Sequence, residues 1–457
     1  MRACAARGIN VKRPLFERLT SFRGDANFAM PGHKNRVPFD FDWREDLTEI
    51  VGADNLLNPE DCIKASQEEM AKAYGVARTV MVPAGSTTAI KIALFLATNP
   101  GDCVLVQRNS HLSLFHGAVS LDLKLSYLDG EVDEATGLFA GITPKSVEEA
   151  LDKNPHVTAV FLTSPDYFGG ILPLKAIADI VRKRGKKLIV DEAHGAHLPF
   201  SELRAFSAVH YADYTVQSLH KTAPALTGAA LLHLKEEENN RRLLKGMQHF
   251  LSTSPSYLTM LSSEFAVTAM ERGYDDERVN RWREEIIQNV SDLYVPNRKG
   301  EGLIAHDPGK LLFHMAGRRG DEVVESLAKR GVHLEMGDRY YALAILSPYN
   351  TDEDFRKLMG KLKDLPTGKA ESFHMTKMPK GEVVLSPREA FFSPTCSVSV
   401  KESVGCIAAD TITPYPPGIP IITYGERITC DIADYIADYP DAIGISDGMI
   451  TVVKEEL

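Results

Sequence analysis

Between residues 78 and 234, short apolar runs alternate with stretches whose apolar positions recur at helical spacing. The runs Thr79–Val82, Cys103–Gln107, Leu123–Tyr127, Val157–Thr163, Lys187–Asp191, Tyr214–Gln217 and Ala229–Leu234 read as strands. Helices are expected from Ile63 to Tyr74, with Gly75 as the stop, and from the Gly85-Ser86-Thr87 turn through Ala97. A third covers Pro173–Arg184, with proline near its first turn and Gly185 past its end. This alternation predicts an α/β fold with a mostly parallel sheet covered by helices.

A long charged helix, Asp276 to Leu293, reads as a bridge to a smaller α/β unit with strands at Lys310–Met315, Val332–Leu334 and Tyr341–Leu346. Residues 1–60, punctuated by Pro14, Pro31, Pro38 and Pro59, read as an N-terminal arm. The expected division is then a large domain over 61–290, a small α/β domain over 291–365 and a C-terminal subdomain over 366–457. The polar, Lys-rich stretch Pro366–Glu382 would link the last two.

The 457 residues carry 62 acidic against 52 basic side chains, a net charge of −10. A negative surface argues against nucleic-acid and anionic-membrane partners. The basic cluster Arg182-Lys183-Arg184 with Lys186-Lys187 sits at the exposed end of an expected helix, where cations suit the dipole. The six cysteines show no C-x-x-C spacing, so they read as reduced thiols of a cytosolic protein rather than a metal or redox pair. No secretory h-region opens the chain and no apolar run approaches membrane-spanning length.

Two segments change the picture. Asp191-Glu192-Ala193-His194-Gly195 ends an apolar strand, and Ser218-Leu219-His220-Lys221-Thr222 follows the next one. A carboxylate at the carboxyl end of a parallel strand lies where open α/β sheets bind ligands. Lys221 lies in an uncharged stretch, TVQSLHKTAPALTG. A desolvated lysine loses basicity and becomes a nucleophile toward an aldehyde. Together they offer what pyridoxal phosphate needs: an amine for a Schiff base and an acid for the pyridine nitrogen. Taken singly, Asp191 could equally cap the following helix, and most lysines are solvated surface groups.

Gly85, Ser86 and Thr87 offer a phosphate cradle at a helix N-terminus, with ordinary helix capping as the alternative. Ser218 and His220 could donate to the same phosphate or to their own turn. His111 in RNSHLS could stack on the cofactor ring, and His194 could sit near the ring oxygen or the reacting carbon. The spacing His194-x-x-His197 does not suffice for a zinc site, and no metal is expected.

These motifs, with MPGHKN, QRNSHLS, TSPDYFG, SPREAFF and PYPPGIPII, resemble the Orn/Lys/Arg decarboxylase family of fold type I pyridoxal phosphate enzymes. The resemblance spans Met30 to Ile422. It implies that Lys221 forms the Schiff base, Asp191 holds the pyridine nitrogen and His111 stacks on the ring. It also implies that Ser86, Thr87, Ser218 and His220 bind phosphate, that Gly85 shapes the turn and that His194 sits beside the ring. PGHK already at residue 31 suits the short, wingless bacterial form. Departures are Leu112, Ala223, Gly228, Asp166 and Tyr424, where the family pattern favours Lys, Leu, a polar residue, Thr and Pro.

The implied reaction is decarboxylation of lysine, arginine or ornithine to the amine, in a homodimer or larger assembly with shared sites. A basic substrate needs acidic partners, for which Glu49, Asp54 and Glu389 are candidates, with surface or capping charge as the alternative. Transamination, aldolase-type cleavage and a regulator that binds the cofactor without turnover are the rival readings.

Overall fold

The structure, a computed structural model, describes residues 13–36, 39–40, 42–237, 240–298, 300–365 and 378–454. Pro38, Cys4 and residues 366–377 of the expected linker lie outside them.

The seven expected runs form one seven-stranded sheet. In chain order its strands are β1 (Arg78–Val82), β2 (Cys103–Gln107), β3 (Lys124–Leu128), β4 (Val157–Thr163), β5 (Lys187–Asp191), β6 (Tyr214–Gln217) and β7 (Ala230–Leu234). Their spatial order is β1-β7-β6-β5-β4-β2-β3. Only β7 runs antiparallel to its neighbours. The near-continuous burial of these strands follows from helices on both faces. Ile90, Ile92 and Leu94 of helix Ser86–Ala97 belong to one apolar cluster, and Ile177 and Val181 of helix Leu174–Lys183 to another.

Parallel neighbours place their carboxyl ends on one edge. Asp191 ends β5 and pairs in register with Val216 of β6, so the loops after both strands open side by side. That adjacency, rather than sequence separation, brings Asp191 and Lys221 together.

The charged helix stops at Asn289, four residues before the expected end. Val290 is extended, and Leu293–Tyr294 becomes an edge strand against His314 and Met315. Lys310–Met315 pairs with Ala342–Ile345 in the same four-stranded sheet. Val332–Leu334 instead pairs in parallel with Ala26–Phe28 of the arm. Ala26 and Phe28 are buried in the apolar cluster around Trp282, Phe313 and Phe355. The arm is therefore stitched into that core rather than lying over it. A further cluster, around Ile412, Ile422, Ile432 and Ile450, holds the C-terminal part. The polar stretch before it ends in Glu382–Val383, which pairs with Glu426–Arg427.

No helix among the described residues is long and apolar enough to cross a membrane. The five described cysteines are free.

Candidate active site

β5 ends on Asp191, and Glu192 follows it with its side chain in different surroundings. Asp191 is buried; one oxygen accepts from the Ala193 N–H at 3.0 Å. Burial raises its carboxyl pKa, while any positive charge on Lys221 pulls it back. Glu192 points into a polar nest, accepting from Ser207 Oγ at 2.8 Å, the Ala208 N–H at 2.6 Å and Gln217 Nε2 at 2.7 Å. Burial pushes Glu192 up to about 8. Its role is structural, fastening the loop after β5 to β6.

Lys221 lies on a one-turn helix, Leu219–Thr222, directly after β6. Burial lowers the basicity of its amine, and Asp191 and Glu335 oppose that. Its Nζ lies 3.2 Å from Nε2 of His194. The other ring nitrogen of His194 lies 2.9 Å from Nζ of Lys310, a lysine with no exposed surface. Tyr167 packs edge-on against the same imidazole, ring centroids 5.2 Å apart, and donates its hydroxyl to Glu335 at 2.8 Å. Burial, then Lys221 and Lys310, hold His194 well below the usual imidazole pKa, so the ring is neutral.

Two motifs of the resemblance close on this cluster through glycine. Gly32 of MPGHKN donates its N–H to the His220 carbonyl at 2.7 Å, and a Cβ there would meet the Ala223 carbonyl oxygen at 2.7 Å. Gly418 of PYPPGIPII, at φ +83, accepts from the Leu112 N–H at 2.9 Å. A Cβ on it would meet the His111 ring at 2.9 Å. His111 caps the next helix, its Nδ1 accepting from the Ser113 N–H at 3.2 Å. Burial drives its pKa down to about 4.

Gly85, at φ +80, precedes the helix Ser86–Ala97, whose first turn has no side-chain cap. A Cβ at Gly85 would meet nothing within 4 Å. This leaves open space over helical N–H groups, with the Ser86 and Thr87 hydroxyls beside them, and such a terminus suits a dianion. Ser218 Oγ lies 3.2 Å from Nδ1 of His220, whose pKa burial drives to about 4. An uncapped helix end, a neutral imidazole, a buried carboxylate and a partly desolvated amine form a donor set that fits pyridoxal phosphate.

The three expected acids do not join this cluster. Asp54, at φ +63, spends its carboxylate on the N–H groups of Asn55, Glu60, Asp61 and Ile63 and thus organises its own loop. Glu389 completes a capping box with Ser386. Glu49 is exposed. The departure Asp166 is matched by Arg298: the two form a buried ion pair at 2.5 Å and 3.0 Å.

Lys34, Lys310, Tyr167 and Glu335 were missed by the sequence reading. Lys34 is fully buried and donates to the Ala29 carbonyl at 2.6 Å. Glu335 also accepts from the Met30 N–H at 2.9 Å. An available signal was a lone charge inside an apolar run, as in KLLFHM and VHLEMG, the same signal that singled out Lys221.

Comparison with known proteins gives the same picture. Residues 13–294 match the family described as Orn/Lys/Arg decarboxylase, major domain, and residues 371–443 its C-terminal domain. The chain is 31% identical to the arginine decarboxylase of Bacillus anthracis, over 93% of this chain and 92% of that protein. It is 24% identical to the constitutive lysine decarboxylase of Escherichia coli, over 80% of this chain and 66% of that protein. The lysine decarboxylase of Francisella novicida shares the fold, with a TM-score of 0.77 at 21% identity over 90% of this chain and 74% of the other. The chain belongs to the Orn/Lys/Arg decarboxylase family and, with it, to the fold type I pyridoxal phosphate-dependent amino-acid decarboxylases.

Proposed function

We propose that the enzyme decarboxylates a basic L-amino acid, arginine, lysine or ornithine, at the cluster around Lys221. The observation that carries this is the hydrogen-bonded row Lys310, His194 and Lys221, with Asp191 facing Lys221, at the carboxyl edge of the large sheet. Pyridoxal phosphate, when bound, supplies an aldehyde and a protonated ring that accepts the electron pair of the broken Cα–carboxylate bond.

In this reading Lys221 tethers the cofactor and Asp191 keeps its ring nitrogen protonated. His111, packed on its other side by Gly418, would stack on the cofactor ring. The uncapped turn at Gly85, Ser86 and Thr87 takes the phosphate, with Ser218 and His220. The carboxylate leaves as carbon dioxide, and Cα receives one proton in its place. Lys221 and His194, 3.2 Å apart, are the two groups able to hold that proton. The Tyr167 ring against His194 keeps water from that side.

In this reading the substrate side chain is assigned to a cavity of about 610 Å³ whose wall contains none of the cluster residues themselves. Asn109, Phe168 and Met336 in its wall flank the cluster residues in sequence. Five aspartates line it. Asp129 pairs with Lys380 at 2.6 Å and Asp321 with Arg319 at 2.5 Å. Asp338 accepts from the Tyr340 and Tyr341 N–H groups at 2.7 Å, whereas Asp438 and Asp441 form no ion pair among the described residues, which leaves two carboxylates for an incoming cation beside the wall cations Arg108 and Arg339. Glu335 does not serve here, since it already faces Lys34, Lys221 and Lys310.

Homodimerisation is part of the reading. Trp43, Leu47, Ile50 and Val51 expose apolar surface beside Glu49, as a segment covered by a second copy would. The deciding experiment incubates the cofactor-loaded enzyme with a panel of L-amino acids and scores amine and carbon dioxide by mass spectrometry. A basic amine with equimolar carbon dioxide is expected. A keto acid without carbon dioxide would refute the reading in favour of transamination. Arg388 gives that rival no support, since its guanidinium donates to the Val119 carbonyl at 3.1 Å and stacks on Phe392.

A further inference from the structure

His194 is the middle of a row of three nitrogen bases. Lys310 Nζ sits 2.9 Å from Nδ1, and Lys221 Nζ sits 3.2 Å from Nε2. An ammonium has three donors and no acceptor, and a neutral imidazole has one N–H and one lone pair. Both contacts can be hydrogen bonds only if at most one lysine is an ammonium. Two ammonium groups would need a lone pair on each ring nitrogen, which neutral imidazole does not have. A histidinium would need both lysines as free amines. The row therefore holds at most one excess proton, and the open question is which group holds it.

The surroundings select Lys310. It begins the strand Lys310–Met315 and its stem packs on the backbone of Gly169, where a Cβ would meet the Lys310 side chain at 2.8 Å. Its N–H donates to the carbonyl of Asp307, a fully buried acid that also lies 3.4 Å from His197. The charged groups facing Lys310 are Asp307, Glu335, Asp166, Lys221 and Lys34. Those facing His194 are Lys221, Lys310, His111 and His220, and those facing Lys221 are the acids Asp191 and Glu335 with His111, His194, His220 and Lys310. Of these acids Asp166 is already paired with Arg298 and Glu335 is shared, so the comparison is between Asp307, held against its burial down to about 2 by His197 and Lys310, and Asp191, whose carboxyl burial raises. Burial costs an ammonium more at Lys310, which has no exposed surface, than at the partly exposed Lys221, so the charge on Lys310 depends on the acid beside it.

We infer that Lys310 is a positioning residue: as an ammonium it donates to Nδ1 of His194, fixes the Nε2–H tautomer, and so holds Lys221 as a free amine ready for an aldehyde. Nε2–H then donates to the Lys221 lone pair. The inference rests on the reading of Lys221 as the cofactor-tethering amine and adds the group that sets its protonation state from behind.

The test uses the full chain stripped of cofactor, wild type against Lys310→Met and Lys310→Gln. Trace acetylation with acetic anhydride, followed by peptide mass spectrometry at Lys221 across pH, reads the protonation of that one amine. With methionine at 310 the opposing cation is gone, Lys221 protonates more easily, and its midpoint is expected to rise by about one pH unit. At neutral pH the free-amine fraction then falls about tenfold. In a His194→Gln background the same substitution should move the midpoint much less. Nitrogen-15 histidine spectra, with His194 assigned from His194→Gln, should show Nε2–H in wild type and in Lys310→Gln, whose amide still donates. They should show loss of that preference in Lys310→Met. An unchanged Lys221 midpoint in a Lys310→Met protein of wild-type thermal stability would overturn the inference. Should that variant not fold, an Nδ1–H tautomer in wild type overturns it equally. The two failures are separable, because turnover by Lys221→Ala would remove the functional reading, whereas an Nδ1–H tautomer removes only the role of Lys310.

Discussion

Lys34 offers the sharpest measurement of the buried charge around the site. It has no exposed surface, and its Nζ donates to the Ala29 carbonyl at 2.6 Å. Burial lowers its pKa from 10.5 to about 7, helped by Lys310 and opposed by Glu335 and Asp354. Below about 7 both folded and unfolded chains carry the proton, and above 10.5 neither does. Between those values the unfolded chain binds more protons, so stability rises with pH across the window. One proton contributes about 1.4 kcal/mol per pH unit, and the whole window up to about 5 kcal/mol. Lys34→Met keeps the apolar stem and removes the titration. It also strands the Ala29 carbonyl, which costs about 1–3 kcal/mol at every pH. Urea unfolding at pH 7, 8, 9 and 10 should therefore give a variant curve that is offset and flatter than wild type by about 1.4 kcal/mol per unit. Parallel curves would show that Lys34 does not titrate in this window, and the account of the buried lysines would fall with it.

Other outcomes follow from the site geometry. Gly418→Ala places a Cβ 2.9 Å from the His111 ring at φ +83 and should weaken cofactor binding about tenfold in a spectroscopic titration, from about 1–3 kcal/mol of strain. Gly101→Ala is the control, since its φ of +87 carries similar backbone strain with nothing within 4 Å; equal losses in the two would exonerate the ring contact. Asp191→Asn should lower kcat by about 10² to 10³ or more while the fold survives, and an unchanged kcat would contradict its role at the ring nitrogen. Arg298→Met should lower stability by about 3–5 kcal/mol, because it strands the buried Asp166 carboxylate; adding Asp166→Leu should recover part of it, measured as thermal midpoints.

The seven strands of the large sheet were legible because each is a compact apolar run between turn residues, and the structure moves their ends by one residue at most. Asp191 was legible because it ends such a run, and Lys221 because it is the one charge in the otherwise uncharged stretch after the next. The pairing of Val332–Leu334 with Ala26–Phe28 was not, since three-residue strands carry no period and a parallel partner some 300 residues away leaves no local trace. Lys34, Lys310 and Glu335 come from the arm, a strand start and a strand edge, so their meeting is a tertiary fact. For Glu389 the capping alternative is the one the structure shows, and its signal is local: Ser386-Pro387-Arg388-Glu389 has the S-x-x-E spacing of a capping box. A residue engaged in its own helix start is a poor candidate for a distant cation.

The stitch between Ala26–Phe28 and Val332–Leu334 has a consequence for biosynthesis. Gly32 braces the turn that bears Lys221, yet the strand that anchors this brace leaves the ribosome about 300 residues later. Gly418, which roofs His111, emerges later still. A nascent chain truncated between the large sheet and these elements would display Lys221 on an unbraced turn, so vitamin capture must be an event of the finished polypeptide, and slow closure of so wide a loop would set its pace.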